Sequence, residues 1–233
     1  MQDFIRSKAL NNIPYKKLSE SLLSINNSND DIKTKSLKLT IINRYYESNI
    51  PVEYWPLKME TDFHGDHRLL TKYNEYTSDI KKSYSEGSSI CFAGLHGVGK
   101  SMTSTSILKK SVQHGYNSLY TTFSDIVSIL TTANFDDKYD ARKELMMVDF
   151  LVIDEVDPRF ISSDNAADLY ARTLESIFRT RSQNKLPTIM CTNSPNVIEV
   201  FNGPLKTSLE SLMKGYMKMF PVFGQDFRIK GSK

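Results

Sequence analysis

One run of eight residues in this 233-residue chain has the composition and spacing of a phosphate-binding loop. Residues 94–101 read GLHGVGKS and fit the pattern G-x-x-x-x-G-K-[ST] in full. The glycines let successive backbone N–H groups face a phosphate, and a helix that starts after the loop adds partial positive charge. We predict that Lys100 contacts the β- and γ-phosphates of a nucleotide and that the Ser101 hydroxyl ligates Mg²⁺. The predicted nucleotide contacts are Gly94, Leu95, His96, Gly97, Val98, Gly99, Lys100, Ser101 and Met102.

A second motif places two carboxylates at the end of an apolar segment. Residues 149–155 read DFLVIDE, which predicts a buried strand with Asp154 at its carboxyl end. Asp154 is predicted to hold the Mg²⁺ shell, and Glu155 to polarise a water for attack on the γ-phosphate. Because a candidate base is present, the pair favours nucleotide hydrolysis over binding alone.

A third segment, TIMCTN at residues 188–193, predicts a strand that ends in a polar residue. In sheets of this kind the strand lies between the two strands already described, so Asn193 would point at the attacking water. The predicted catalytic residues are therefore Glu155, Lys100 and Asn193. A plain polar strand cap before Ser194 remains an alternative for Asn193.

Strands and helices alternate around these motifs, which predicts a parallel sheet covered by helices on both faces and thus an α/β fold. The predicted strands are 89–93, 118–122, 149–153 and 188–192, and the predicted helices are 69–84, 100–114, 124–132 and 166–181. Residues 1–48 predict a small N-terminal helical module. Residues 49–60, with two prolines and the only tryptophan, predict an ordered loop against the larger body.

The composition excludes several classes of protein. Hydrophobic residues at 39% and charged residues at 24% are typical of a globular chain, and a net charge of +3 does not by itself indicate a nucleic-acid-binding protein. Cys91 and Cys191 are too few for a disulfide framework or a four-ligand zinc site. There is no membrane span of roughly 18 apolar residues and no secretory signal at the start. We therefore expect a cytoplasmic protein with no membrane partner.

The order GLHGVGKS, LVIDE and TIMCTN resembles that of AAA+ ATPases. It is most similar to the DnaC/DnaI-type replicative helicase loaders and the related IstB transposition ATPases. Residues 49–54, 118–130, 174–193 and 224–228 also resemble stretches of that branch. The resemblance implies a RecA-like/AAA+ three-layer αβα fold without a full helical lid. It divides the chain into a partner-binding N-terminal module, residues 1–48, and an ATPase core, residues 49–233.

The same resemblance implies a function in DNA replication. It predicts a Mg-dependent ATPase that loads a replicative ring helicase onto single-stranded DNA. The cofactors are then ATP and Mg²⁺, the N-terminal module binds the helicase, and the subunits associate into an arc or spiral. Two alternatives remain open: an IstB-like transposition helper that acts on double-stranded DNA, and an ATP-switched assembly scaffold with negligible hydrolysis.

The family's helical insertion falls near residues 123–142, where Lys138, Arg142 and Lys143 are candidate DNA contacts. A solvated helix face is an equal alternative, because several aspartates lie among these cations. The family's arginine finger maps near residues 209–214, which contain no arginine. The candidate trans or sensor cations are therefore Arg179, Arg181, Lys214 and Arg228.

Overall fold

The computed structural model describes residues 10–157, 164–194, 203–224 and 226–227. Its centre is a five-stranded sheet in the order β2-β3-β4-β1-β5, and each adjacent pair of strands is parallel. The strands are β1 Ser89–Gly94, β2 Ser118–Thr122, β3 Phe150–Asp154, β4 Thr188–Thr192 and β5 Met217–Val222. The predicted α/β class and the position of β4 between β3 and β1 are both confirmed.

Helices connect the strands. They are α6 Lys100–Gln113 after β1, α7 Phe123–Thr132 and α8 Phe135–Met147 after β2, α9 Asp164–Gln183 after β3, and α10 Gly203–Tyr216 after β4. Side chains of a strand alternate between its two faces, so Leu151 and Ile153 pack in one buried cluster and Phe150 and Val152 in the other. The chain therefore forms three αβα layers, as the resemblance implied.

The N-terminal helices pack on the same buried layer as α6. They are α1 Tyr15–Asn26, α2 Ile32–Glu47, a short 3-10 helix Val52–Tyr54, α3 Met59–Asp62, α4 His67–Thr77 and α5 Ile80–Ser85. Leu18 and Tyr45 belong to one buried cluster with Ile107 and Val112 of α6. Arg44 also donates a hydrogen bond of 3.2 Å to the Val112 carbonyl oxygen. The division of the chain at residue 48 stays a prediction.

Three details differ from the sequence-based expectations. The predicted helix 69–84 is two helices, because the Asp79 side chain accepts a hydrogen bond from the Lys82 N–H and caps a new helix there. The third strand is shifted by one residue, so Asp154 is its last member. Helix α10 and the edge strand β5 were not predicted; Pro221 interrupts the strand pattern there, and proline is tolerated in an edge strand. Within the described ranges no helix has the length and apolar character needed to cross a membrane.

Candidate nucleotide-binding site

The glycine-rich loop joins the end of β1 to the start of α6. Gly97 and Gly99 have φ values of 73° and 102°, in the left-handed region that favours glycine. A side chain at Gly97 would also meet the Asp226 carboxylate, since an ideal Cβ there lies 1.8 Å from Oδ1. The loop thus needs glycine for both its backbone conformation and its packing.

Residues that precede the loop in the chain and residues that follow it both support its conformation. The Asp66 N–H donates to the Val98 carbonyl oxygen at 3.1 Å, and the Phe227 N–H donates to the Gly97 carbonyl oxygen at 3.1 Å. Val98 itself is fully buried in the core. These contacts fix the loop in a conformation whose inner surface faces a cavity.

Lys100 lies within the loop with only 6% of its surface exposed. Its Nζ donates hydrogen bonds to the carbonyl oxygens of Gly94 at 2.8 Å and Leu95 at 2.6 Å. A third bond of 2.9 Å goes to Oδ1 of Asn193, at the end of β4. The structure therefore brings together two of the three predicted catalytic residues.

The third strand delivers Asp154, which is 4% exposed, to the same edge of the sheet. Its Oδ1 accepts a hydrogen bond of 2.7 Å from the Glu155 N–H. Its Oδ2 accepts one of 3.0 Å from the hydroxyl of Tyr120 on β2. Burial, together with the Asp154 carboxylate, raises the pKa of Tyr120 well above its usual value, so Tyr120 is a neutral donor. The sequence did not single out Tyr120.

Glu155 has a φ of 54°, which is uncommon for a residue with a side chain and turns the chain sharply at the end of β3. Partial burial raises the pKa of its carboxyl group, and the carboxylates of Asp154 and Asp125 add to the shift. A general base is most effective when its pKa approaches the working pH. The raised pKa of Glu155 therefore suits the predicted base.

One cavity of about 500 Å³ collects most of the predicted site. Its lining residues are Pro51, Glu53, Tyr54, His96, Gly97, Gly99, Lys100, Ser101, Met102, Tyr120, Asp154, Glu155 and Asn193. The residues converge because the carboxyl ends of adjacent parallel strands meet at one edge of the sheet. Gly94, Leu95 and Val98 do not line the cavity. The segment from Pro51 to Tyr54 forms the wall that the motifs did not identify.

The oxygen ligands present fit Mg²⁺ bound together with phosphates. Ser101 and Asp154 both line this cavity. Among the described residues there is no group of three or more His, Cys, Asp or Glu that could hold a metal without other ligands. Mg²⁺ typically uses one or two carboxylates and completes its shell with water and phosphate oxygens, so the donor set suits that ion.

The candidate trans cations have different surroundings. Arg181 is fully buried, so its assignment as a cation that reaches a neighbouring subunit is wrong. Its guanidinium donates to the Val148 carbonyl at 2.9 Å and the Thr188 hydroxyl at 2.8 Å. Arg179 is exposed and paired with Glu175 at 2.6 Å. Lys214, also exposed, pairs with Glu210 at 2.7 Å. Arg228 lies outside the described residues.

The predicted DNA contacts lie along a second groove, of about 490 Å³, between α8 and α9. Lys138 and Arg142 line it, whereas Lys143 is exposed outside it. The groove also contains residues that the sequence reasoning missed: Phe135, 81% exposed, Tyr139, 61% exposed, and Arg172. Large aromatic side chains on an otherwise polar helix were the signal that could have identified them.

The loop, the acidic strand end and the sheet order define a P-loop nucleotide-binding protein of the AAA+ class. Residues 82–195 match the family described as IstB-like ATP binding protein. This segment is similar to the ATP-binding domain of that family, and the fold and the site fit an AAA+ ATPase of the IstB/DnaC type. A search of curated proteins found no match.

Solved structures share the fold at low sequence identity. The DnaC helicase loader is 20% identical with a TM-score of 0.59, and the match covers 73% of this chain and 99% of that one. DnaI is 16% identical with a TM-score of 0.58, covering 76% and 94%. The replication initiator DnaA bound to AMPPCP and single-stranded DNA is 17% identical with a TM-score of 0.56, covering 75% and 51%.

Proposed function

We propose that this protein is an ATP-dependent loader of a replicative ring helicase onto single-stranded DNA. The observation that carries the proposal is the groove between α8 and α9, where exposed Phe135 and Tyr139 lie beside Lys138, Arg142 and Arg172. Aromatic side chains stack on unpaired bases while cations contact the phosphates. In a duplex the base faces are already stacked on each other, so exposed aromatics favour a single strand.

Hydrolysis of ATP in the nucleotide cavity supplies the energy for loading. Lys100 moves from its carbonyl partners to the β- and γ-phosphates. Ser101 and Asp154 would hold Mg²⁺, which would neutralise the charge that develops on the phosphates. Glu155 accepts a proton from the attacking water, and the Asn193 amide orients that water. The shared cavity and the polar groups at the ends of three adjacent strands support these roles.

The likeness to DnaC and DnaI supports the partners of this function. Residues 1–48 bind the ring helicase, and the ATP-bound subunits associate into an arc or spiral. Exposed apolar side chains on α1 and α2 suit a protein partner: Tyr15, Leu23, Ile32 and Leu37. The trans cation of such an assembly is Arg179 or Lys214, since both are exposed at ion pairs that a neighbouring subunit could replace.

A transposition helper that acts on double-stranded DNA is the second candidate. It is favoured by the match of residues 82–195 to IstB-like ATP binding proteins. The two candidates share the nucleotide site and differ in the DNA strand that they grip and in their protein partner.

The deciding experiment measures fluorescence-anisotropy binding of single- and double-stranded oligonucleotides with ATP·Mg²⁺ and with ADP. We expect ATP-dependent binding of the single strand that is lost in Lys100→Ala. Arg142→Gln should weaken binding, whereas its sequence neighbour Lys143→Gln, outside the groove, should change it little. Preference for duplex would favour the transposition helper. Absence of binding to either strand would exclude both and leave an ATP-switched scaffold.

A further inference from the structure

A buried ammonium group holds a segment that continues into one wall of the nucleotide cavity. Lys109 is on α6 and only 8% exposed. Its Nζ donates to the carbonyl oxygens of Tyr54 at 2.7 Å, Trp55 at 3.1 Å and Leu57. The same group lies 5.6 Å from the centre of the Tyr45 ring. Three main-chain acceptors within one short segment therefore depend on a single side chain.

The segment that Lys109 holds continues into the cavity. Pro51, Glu53 and Tyr54 line the cavity together with the P-loop. A second anchor fixes the segment from within, because Trp55 Nε1 donates to the Ile50 carbonyl oxygen at 2.7 Å. With the phosphates at the P-loop, the Pro51–Tyr54 wall of the same cavity is available to the base and ribose of a bound nucleotide.

We propose that Lys109 is a positioning residue for the nucleoside end of the nucleotide, holding residues 54–57 so that Pro51, Glu53 and Tyr54 form one wall of its pocket. The proposal rests on the proposed ATP binding and adds a residue outside the motifs. Lys109 does not line the nucleotide cavity, so it acts through the segment that it holds. Its loss should weaken contacts to the base and ribose and leave the phosphate contacts intact.

The charge of Lys109 depends on pH within a useful range. Burial lowers its pKa to about 8, while the nearby carboxylates of Asp62 and Glu60 oppose the shift and Lys58 adds to it. The other polar or titratable groups around it are Tyr45, Tyr73, Ser106, Lys110 and Gln113. As pH rises through about 8 the ammonium loses its proton. Neutral Lys109 can donate at most two hydrogen bonds, so the three-carbonyl anchor weakens.

The test compares two ligands on matched variants of the full chain. Lys109→Met removes the ammonium and keeps the stem, and Lys110→Met does the same at the neighbouring position. We expect Lys109→Met to raise the Kd for ATP roughly tenfold, as it would if the ordered wall were populated in about a tenth of molecules. The Kd for inorganic tripolyphosphate should stay within about twofold, and Lys110→Met should bind both ligands as the unmodified protein does.

A pH series on the unmodified protein gives a second readout. The Kd for ATP should rise between pH 7 and pH 9.5 relative to that for methyl triphosphate, whose terminal phosphate titrates as that of ATP does. In Lys109→Met this pH-dependent difference should disappear. Should Lys109→Met fail to fold, Lys109→Gln, which keeps an amide donor in place of the ammonium, replaces it in both measurements.

The proposal is overturned if ATP and tripolyphosphate weaken equally, or if neither changes in a folded Lys109→Met variant. Persistence of the pH-dependent difference in a folded Lys109→Met or Lys109→Gln variant overturns it as well. Absence of ATP binding in the unmodified protein instead overturns the proposed function together with this inference, so the two failures are distinguishable.

Discussion

The hydroxyl of Tyr120 donates a hydrogen bond of 3.0 Å to Oδ2 of Asp154, so a residue of β2 orients the carboxylate at the end of β3. The main chain of Tyr120 is held in turn by the N-terminal segment. Its N–H donates to the Ser48 carbonyl oxygen at 2.8 Å, and its carbonyl accepts from Asn49 Nδ2 at 3.0 Å. The candidate metal ligand is therefore oriented by a partner whose own position depends on Ser48 and Asn49, about seventy positions earlier in the chain.

Removing this hydroxyl should weaken Mg²⁺ binding. A group that orients a metal ligand typically contributes about ten- to a hundredfold to metal affinity or activity. We expect Tyr120→Phe to raise the Mg²⁺ concentration needed for half-maximal ATP binding by roughly tenfold. Tyr116→Phe is the control, because the Tyr116 ring packs on Phe150 at 5.2 Å outside the cavity. An unchanged Mg²⁺ requirement in folded Tyr120→Phe would contradict the prediction.

Asn193 and Lys100 should respond differently to substitution. Asn193 is bonded to Lys100 at 2.9 Å, but its proposed role begins only when water attacks. We expect Asn193→Ala to lower the turnover of ATP by roughly a hundredfold, the usual cost of removing one transition-state hydrogen bond, with little change in the Kd for ATP. Lys100→Ala should instead lose binding. The combination of steady-state rates and equilibrium titrations checks both, and a loss of affinity in Asn193→Ala would argue for a purely structural cap.

The acid limb of the pH–rate profile for ATP hydrolysis should report the protonation of Glu155. Burial and the nearby carboxylates raise its pKa, and a base works only when deprotonated. The rate should therefore fall on acidification at a higher pH than for an ordinary glutamate. Asp125→Asn removes one of the negative charges, lowers the pKa of Glu155 and moves the limb to lower pH.

The matched control for that pH profile is Asp136→Asn, which changes an exposed carboxylate on α8. Asparagine at position 125 keeps an oxygen that can accept the hydrogen bond that Thr122 now donates at 2.7 Å. The folded state should therefore tolerate the change. A limb that stays in place, or moves to higher pH, would mean that another group controls the rate.

Most of the residues that line the cavity could be identified from the sequence because their determinants are local. A glycine-rich turn before a helix and an acidic strand end are each recognisable from a few consecutive residues. Parallel strands then bring their carboxyl ends together at one edge of the sheet. Lys100 and Asn193 are separated by 93 positions, yet the predicted strand order already placed both at the same edge of the sheet. Proximity between residues that are distant in the sequence can thus be deduced in a parallel sheet when the strands that carry them are recognised.

Single side-chain contacts across the chain could not be deduced in this way. Lys109 meets Tyr54 and Leu57 more than fifty positions earlier. Lysine is ordinarily an exposed residue, so composition and periodicity place it at the surface. The α8–α9 groove was foreseen only as a cluster of cations, because the exposure of Phe135 depends on how two helices pack. These features require the packed structure.

Substitution of Arg181 should distinguish a role in stabilising the fold from a role as a trans cation. Its guanidinium donates to the Leu145 carbonyl at 3.1 Å and the Pro187 carbonyl at 2.7 Å, so it ties α8 to the start of β4. Burial lowers its pKa to about 10, which keeps it charged at neutral pH. Removing the guanidinium leaves several buried carbonyl oxygens without a donor, and a buried polar group left unsatisfied costs about 1–3 kcal/mol. We expect a loss of this size for Arg181→Met in urea unfolding.

Arg179→Met, two residues earlier on the same helix, is the control. Arg179 makes an exposed ion pair with Glu175 at 2.6 Å, and such pairs contribute less than about 1 kcal/mol. If Arg181 acted across a subunit interface, Arg181→Met would lose ATP turnover with unchanged unfolding. The burial of its guanidinium excludes that route, since a neighbouring γ-phosphate cannot reach a side chain that has no exposed surface. Loss of stability in Arg181→Met, with retained stability in Arg179→Met, is therefore the expected pair of results.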